Sequence, residues 1–218
     1  MTIANLCFHG IGRPLREREA GEAGYWVDLD LFRHTLDEAV GRDDIALSFD
    51  DGNRSDIEIA LPELRERGLT AEFFPLAGRL EDPASLDGQD LRDLVAAGMT
   101  VGTHGWAHVP LRGLDHADAR RELDDARRVL EAAAGVVISD IALPLGQYDR
   151  ALLARLREAG YARVFTSDRY PARKRSWLQP RYSLGAADTR ESVTSVMSRG
   201  PRLRHVRQVV ASTAKRLR

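Results

Sequence analysis

Ile45-Ala-Leu-Ser-Phe-Asp50-Asp51-Gly52-Asn53 is a short apolar run closed by two carboxylates and broken by Gly-Asn. Its length and composition are those of a buried strand, and the Gly-Asn pair ends it. Side chains alternate along a strand, so the adjacent acids Asp50 and Asp51 point in different directions and can hold different tasks. One can bind a metal while the other stays free to take protons. Further on, His104-Gly-Trp-Ala-His108 spaces two imidazoles four residues apart, a spacing that one helical turn brings to the same side. Two His and one carboxylate make a three-ligand site with positions left open for water and substrate, the arrangement of a hydrolytic metal centre.

The same residues carry a family likeness. Ser48-Phe-Asp-Asp-Gly52 resembles the first motif of the NodB-like polysaccharide deacetylases (carbohydrate esterase family four), and Thr103-His-Gly-Trp-Ala-His108 resembles the second. The resemblance extends over residues 3–185, with both motifs in order and each after a strand. It implies a metal-dependent hydrolase that removes an N-acetyl group from an amino sugar in a polysaccharide or its precursor, releasing free amine and acetate. By the same resemblance Asp51, His104 and His108 would hold Zn²⁺, or Co²⁺, Ni²⁺ or Mn²⁺, and Asp50 would take the proton of the attacking water. A backbone N–H at Leu145, following Pro144, would help stabilise the oxyanion.

Two positions depart from the family pattern. The third motif usually has an Arg two residues before its Pro to orient the catalytic Asp, and here that residue is Ala142. The fifth motif usually supplies a general-acid His in a Leu-x-His pattern, whereas this chain reads Tyr182-Ser-Leu184-Gly-Ala186. His9, after the first strand, is the candidate proton donor, with a structural loop histidine as the plain alternative. Arg181 is the candidate substitute for the missing Arg. Trp106 reads as packing or as a platform for a sugar ring. His34, His116 and His205 fall on expected helices, at the surface.

Outward from these motifs, hydrophobic periodicity alternates strand and helix. Strands are expected at Ile3–Phe8, at Ile45 onward, and at Thr70–Ala77, Met99–Thr103, Val136–Leu143, Ala162–Thr166 and Gln179–Leu184. Helices are expected at Asp28–Val40, from a Ser55-x-x-Glu58 capping box to Arg67, and at Gly88–Ala97, His116–Ala134, Tyr148–Ala159 and Thr189–Ser198. The alternation gives an α/β fold with a parallel sheet of βα units. Units of this number suit a distorted or incomplete (β/α) barrel of about seven parallel strands, with a doubly wound open sheet as the alternative. His9, Asp50 and Asp51, His104, Pro144 and Arg181 each follow a strand, the edge where such barrels build active sites.

Composition sets the outer limits. The 218 residues, 43% of them hydrophobic, form one domain over 1–198 with a basic C-terminal helix or tail over 199–218. A net charge of −1 argues against general nucleic-acid binding. No stretch is long and apolar enough to span a bilayer, and Met1-Thr-Ile-Ala-Asn-Leu-Cys-Phe lacks the form of a signal peptide, so a cytoplasmic enzyme is expected. Cys7, the single cysteine, reads as a buried thiol. The loop after the first strand mixes Arg13, Arg16 and Arg18 with Glu17, Glu19 and Glu22, and the charges of 116–134 read as a solvated face. The tail holds seven cations and no acid, with Val206, Val209, Val210, Thr213 and Leu217 on one side of a helix. It reads as a surface helix, with peripheral membrane contact as the alternative. The expected partner is an N-acetylated carbohydrate, and oligomeric state is not legible. Three rivals remain: a metal-dependent sugar-binding relic without catalysis, a related C–N hydrolase acting on a small amide or formyl group, and a non-haem iron oxygenase. The last normally begins its site with His-x-Asp on an all-β fold, whereas here the acid comes first and helices alternate with strands.

Overall fold

Seven parallel strands close into a ring, each followed by a segment that returns the chain to the ring's opposite end. The structure, a computed structural model, describes residues 1–14, 17–198 and 205–217; Arg16, Arg199, Arg202, Arg204 and Arg218 of the basic segments lie outside them. The strands are β1 (Thr2–Phe8), β2 (Ile45–Asp51), β3 (Glu72–Pro75), β4 (Thr100–Val101), β5 (Asp140–Ala142), β6 (Arg163–Thr166) and β7. Strand β7 runs as two pieces, Leu178–Pro180 and Tyr182–Ser183, on either side of Arg181. Its first piece pairs with β6 and its second with β1, so the kink at Arg181 closes the ring. Strands β1 to β4 pair in order, as do β5 and β6. The loosest joint lies between β4 and β5. There one bridge, Thr103 opposite Ile141, carries the ladder, with Thr103 N–H donating to the Asp140 carbonyl at 3.0 Å. This is the distorted seven-stranded barrel that the alternating pattern implied. Several strands are shorter than the apolar runs predicting them, because the run ends find no ladder partner.

The period-two alternation separates two environments. Phe49 stacks between Phe8 and Phe73, with ring centroids at 5.3 and 4.6 Å, and Phe32 of the helix Leu29–Ala39 meets Phe8 edge-on. The alternate residues meet inside the ring and are largely polar. Asn5 donates to Gln179, Arg163 joins Glu72 and Asp140, and Arg181 reaches Ser48 and Asp50. Buried polar groups are tolerable only when paired in this way.

Local chemistry starts the helices at the expected places. Asp28 and Asp87 cap Leu29–Ala39 and Gly88–Ala96, and Thr189 caps Arg190–Met197. The Ser55-x-x-Glu58 box does not form. Ser55 Oγ instead accepts from Ile11 N–H, Glu58 pairs with Arg54, and the chain opens as a π-helical stretch, Asp56–Ala60, before the helix Leu61–Glu66. A second π-helical stretch, Arg120–Asp125, interrupts the helix over 116–134 and buries Glu122, which the expected solvated face did not include. His205 is buried and hydrogen-bonded to the Tyr182 hydroxyl, not a surface residue. The helix Val206–Leu217 packs on the barrel through Ser212, which contacts the Tyr148 and Tyr170 hydroxyls, and through Lys215. No helix among the described residues is long and apolar enough to cross a membrane.

Gly102, between β4 and the His104 loop, marks a close approach. A Cβ there would lie 2.4 Å from the Phe74 ring and 2.9 Å from the Asp140 carbonyl, and Phe74 is itself held against Phe165 at 4.9 Å. Gly102→Ala is expected to destabilise the protein by about 2 kcal/mol in urea unfolding. Gly24→Ala, at a position with open space around it, should change the midpoint little.

Candidate active site

The two acids that end β2 diverge as strand geometry requires. Asp50 turns into the barrel, where Arg181 Nη1 and Nη2 donate to its two carboxylate oxygens at 2.7 and 2.6 Å. Asp51, in the left-handed region at φ 73°, turns outward to the mouth. Its Oδ1 lies 3.6 Å from His104 Nε2 and 3.5 Å from His108 Nε2, is buried, and has no hydrogen-bond partner. A tetrahedral ion bound at about 2.1 Å by three such atoms would hold them about 3.4 Å apart. The orphaned carboxylate oxygen and the two ring nitrogens therefore fit a divalent cation. In a second cluster, Cys7, His9 and Asp50, the potential ligand atoms also lie within 4.8 Å of one another, but the Arg181 guanidinium already occupies both oxygens of Asp50 and would repel a cation.

The two imidazoles reach the site through a loop and not through a helical turn. Gly105 at φ 86° and His108 at φ 57° bend residues 104–108 back on themselves, leaving the rings 5.3 Å apart. Each ring is aimed by an acceptor on its far side. His104 Nδ1–H donates to the Ala142 carbonyl at 2.9 Å, and His108 Nδ1–H donates to the Glu19 carboxylate at 2.7 Å. Both contacts fix the tautomer and leave Nε2 with its lone pair toward Asp51, as in metal sites whose ligands are oriented from behind. Glu19 is held in turn by Arg79 at 2.8 Å. The loop is pinned from below by Glu122, whose Oε2 accepts from the N–H groups of Trp106 and Ala107. A π-helical stretch beneath a functional loop is a common pairing. Neither Glu19 nor Glu122 stands out in the sequence, because each lies in a run of mixed charge.

Arg181 enters the barrel from β7, where the family pattern would place an Arg at position 142 on β5. Ala142 packs with Phe74 and Phe165, and the Arg181 guanidinium lies over those two rings, 5.4 and 5.6 Å from their centroids. The small side chain on one strand leaves room for the long one from another. Burial pushes the Asp50 carboxyl upward, but the charge of Arg181, with His104 and His9, outweighs it and holds Asp50 below the usual carboxylate range. Asp56 is the opposite case. Fully buried, with both oxygens lacking hydrogen-bond partners, it is pushed well above that range by burial and by the charges of Asp51 and Asp50.

A cavity of about 420 Å³ opens above these groups, with His9, Tyr25, Leu145 and Arg169 at its walls. His9 Nε2 stands 4.0 Å from Asp50 Oδ2, and its ring lies 5.1 Å from Tyr25. Leu145 sits in the left-handed region at φ 57°, on the turn after Pro144, with its side chain exposed at the mouth. Trp106 does not line the cavity: its indole packs on Gly78 and beneath Arg121. Tyr25 is the aromatic ring at the mouth, 53% exposed. Burial pushes the His104 imidazole down to about 4, against the pull of Asp50 and Asp51. An unfolded chain takes up this proton near pH 6.5, and the folded chain refuses it until about pH 4. Stability therefore falls as pH drops through that window, and the loss is complete below it. In metal-free protein His104→Gln should remove on the order of 3 kcal/mol of that slope, read from urea unfolding at a series of pH values.

Comparison with known proteins agrees with this geometry. A curated Bacillus subtilis (strain 168) protein, YxkH, provisionally named a polysaccharide deacetylase, is 22% identical over 134 residues, 62% of this chain; the chain spans about half of that relative, 48%. The chitooligosaccharide deacetylase of Sinorhizobium fredii (strain NBRC 101917 / NGR234) is 28% identical over 154 residues, covering 70% of this chain and 68% of the relative. Among solved structures, the Streptococcus pyogenes deacetylase PplD in complex with acetate superposes with a TM-score of 0.77 at 19% identity, covering 92% of this chain and 99% of that one. IcaB from Ammonifex degensii superposes at 0.72 with 21% identity, over 91% of this chain and 97% of its own. At these identities the superpositions establish the shared barrel. The sequence model for polysaccharide deacetylases matches residues 37–164, from the helix before β2 into β6 and across both Asp50-Asp51 and the His104 loop, and by that match the chain belongs to the polysaccharide deacetylase family.

Proposed function

We propose that this chain hydrolyses the N-acetyl group of an amino sugar in a polysaccharide or its precursor, using a divalent ion, zinc foremost, held by Asp51, His104 and His108. The observation that carries this reading is the buried Asp50 carboxylate, fixed by Arg181 at both oxygens, with Oδ2 3.8 Å from His104 Nε2. A protein that only bound a sugar would have no use for a desolvated base beside a metal site. Family membership and the chitooligosaccharide deacetylase relative support the substrate class.

The ion supplies polarisation of the acetyl carbonyl and a water acidic enough to lose a proton near neutral pH. The protein does the rest. Asp50 accepts the water's proton, and Arg181 keeps that carboxylate ionised and aimed at the mouth. The water oxygen bonds to the carbonyl carbon, and the N–H on the Leu145 turn faces the oxygen that gains charge. His9, across from Asp50, returns a proton to the sugar nitrogen as the C–N bond breaks, giving acetate and a free amine. Glu19 keeps the His108 ring in register throughout.

Acetate release from N-acetylated chito-oligosaccharides should stop when a chelator removes the ion and return with Zn²⁺. Asp50→Asn should lower kcat by about 100- to 10,000-fold while zinc titration shows unchanged affinity; zinc binding without turnover in the wild-type protein would leave only a sugar-binding relic. Release of formate in place of acetate, from an N-formyl probe, would assign the related C–N hydrolase. His9→Ala that retained full turnover would remove His9 from the mechanism. Glu19→Ala is expected to weaken zinc affinity by about 10- to 100-fold, measured by competition with a fluorescent chelator.

A further inference from the structure

The helix Val206–Leu217 runs beside residues 170–180, and the two segments enclose an apolar groove of about 600 Å³ away from the catalytic mouth. Tyr170, Pro171 and Leu178 form one wall, and Val206, Val209 and Val210 form the other. These three valines are 52%, 42% and 60% exposed. Single exposed apolar residues are ordinary on any surface, whereas three lining one concavity call for an occupant.

Charge identifies the occupant's chemistry. Arg173, Lys174 and Arg175 stand exposed beside one wall, with Arg207 and Arg216 beside the other. The two described stretches that border the groove, 169–180 and 205–217, hold seven basic residues and no acid. The remainder of the sequence carries 25 basic residues against 33 acidic ones. Both walls of the apolar furrow are thus built from segments that carry cations and no acid, in a chain whose remainder is net acidic. A soluble polyanion would engage the cations but leave the valines in water. A second copy of the chain seated face to face would set cation against cation. An anionic lipid surface satisfies both features, taking valines into the boundary between headgroups and acyl chains and cations among the phosphates.

We propose that this face docks the protein on an anionic lipid bilayer, with Val206, Val209 and Val210 entering the interface and Arg173, Lys174, Arg175, Arg207 and Arg216 meeting the headgroups. The contact is peripheral, since no helix among the described residues is long and apolar enough to cross. The docking helix also touches the catalytic mouth: Lys215 Nζ donates to the Gly146 carbonyl at 3.0 Å, one residue past Leu145, and to Asp168 at 2.8 Å.

The full chain is mixed with vesicles of phosphatidylglycerol and phosphatidylcholine, or of phosphatidylcholine alone, and sedimented. Binding is expected to the first and not the second, and should be screened by about 0.5 M salt. The triple variant Val206→Asp/Val209→Asp/Val210→Asp and the triple variant Arg173→Glu/Lys174→Glu/Arg175→Glu should each lower the partition coefficient by about 100-fold. Thermal unfolding of both should match the wild type, because all six side chains are exposed. Failure of the wild-type chain to sediment, or equal binding to neutral vesicles, overturns the proposal. A valine variant that binds as well as wild type while the charge variant does not also overturns it, and assigns the face to a soluble polyanion.

Discussion

The paired hydrogen bonds between Arg181 and Asp50, buried in the barrel, are the constraint on which the rest of the site depends. Taking a guanidinium and a carboxylate out of water is expensive, and the expense is recovered only by excellent geometry and full hydrogen bonding. Both conditions are met: two short parallel contacts to Asp50, and a third from Arg181 Nη1 to the Ser48 hydroxyl at 3.0 Å. Without the guanidinium, burial alone would drive Asp50 toward its neutral acid, which cannot take a proton. The pair therefore fixes the charge state of the proposed base as well as its direction. It also explains the barrel interior. A fully apolar lumen would leave Arg181 no partner for its donors, and a small residue at 142 is needed to leave it space between Phe74 and Phe165.

The same economy governs the proposed metal ligands, of which the two imidazoles are aimed by contacts from elements distant in sequence. The Ala142 carbonyl, at the end of β5, holds His104, and Glu19, from the loop after β1, holds His108. Asp51 is turned outward by a left-handed backbone at the end of β2. The ends of β2, β4 and β5 and a loop thus converge on a point a few ångströms wide, and the Thr103–Ile141 bridge makes the loosest joint of the ring part of that convergence. A shift of β5 against β4 would move the acceptor of His104 and the Pro144 turn together. The architecture couples the geometry of the proposed ligands to the proposed oxyanion turn through one strand end.

How much of this was legible in the sequence follows from the range of each interaction. Asp50, Asp51, His104 and His108 were legible because strand alternation and close spacing place them with local rules. The helices that Asp28, Asp87 and Thr189 cap were legible from their own apolar spacing, although the caps themselves were not singled out. The seven-fold alternation was legible because each unit carries its own period. Arg181 appeared only as a weak substitute, since its partner lies 131 positions earlier and nothing local distinguishes it from other arginines. Glu19 and Glu122 were hidden in mixed-charge runs whose ordinary reading is a solvated face, and only the fold shows which acid turns inward. The helical turn expected for the His pair failed because Gly105 and His108 adopt left-handed backbone, which releases the loop from helical geometry. The Ser55 capping box failed because Ser55 has a tertiary donor, Ile11 N–H, that outcompetes the local one.

The C-terminal helix extends this logic beyond the barrel. Asp168, buried beside the mouth, accepts from Tyr148, Thr166 and Lys215, and Tyr148 shares its hydroxyl with Ser212. Two of these groups, Ser212 and Lys215, come from the helix Val206–Leu217, so the helix completes a buried network that the barrel alone leaves short of donors. Such networks are strong when full and costly when partial. Lys215 also holds the Gly146 carbonyl, which immediately follows Leu145 in its left-handed turn. A non-glycine residue in that conformation persists only where its surroundings over-determine it. The helix Val206–Leu217, which in the sequence looks like part of an appendage, is in the structure one of the supports that keep the Leu145 turn in shape.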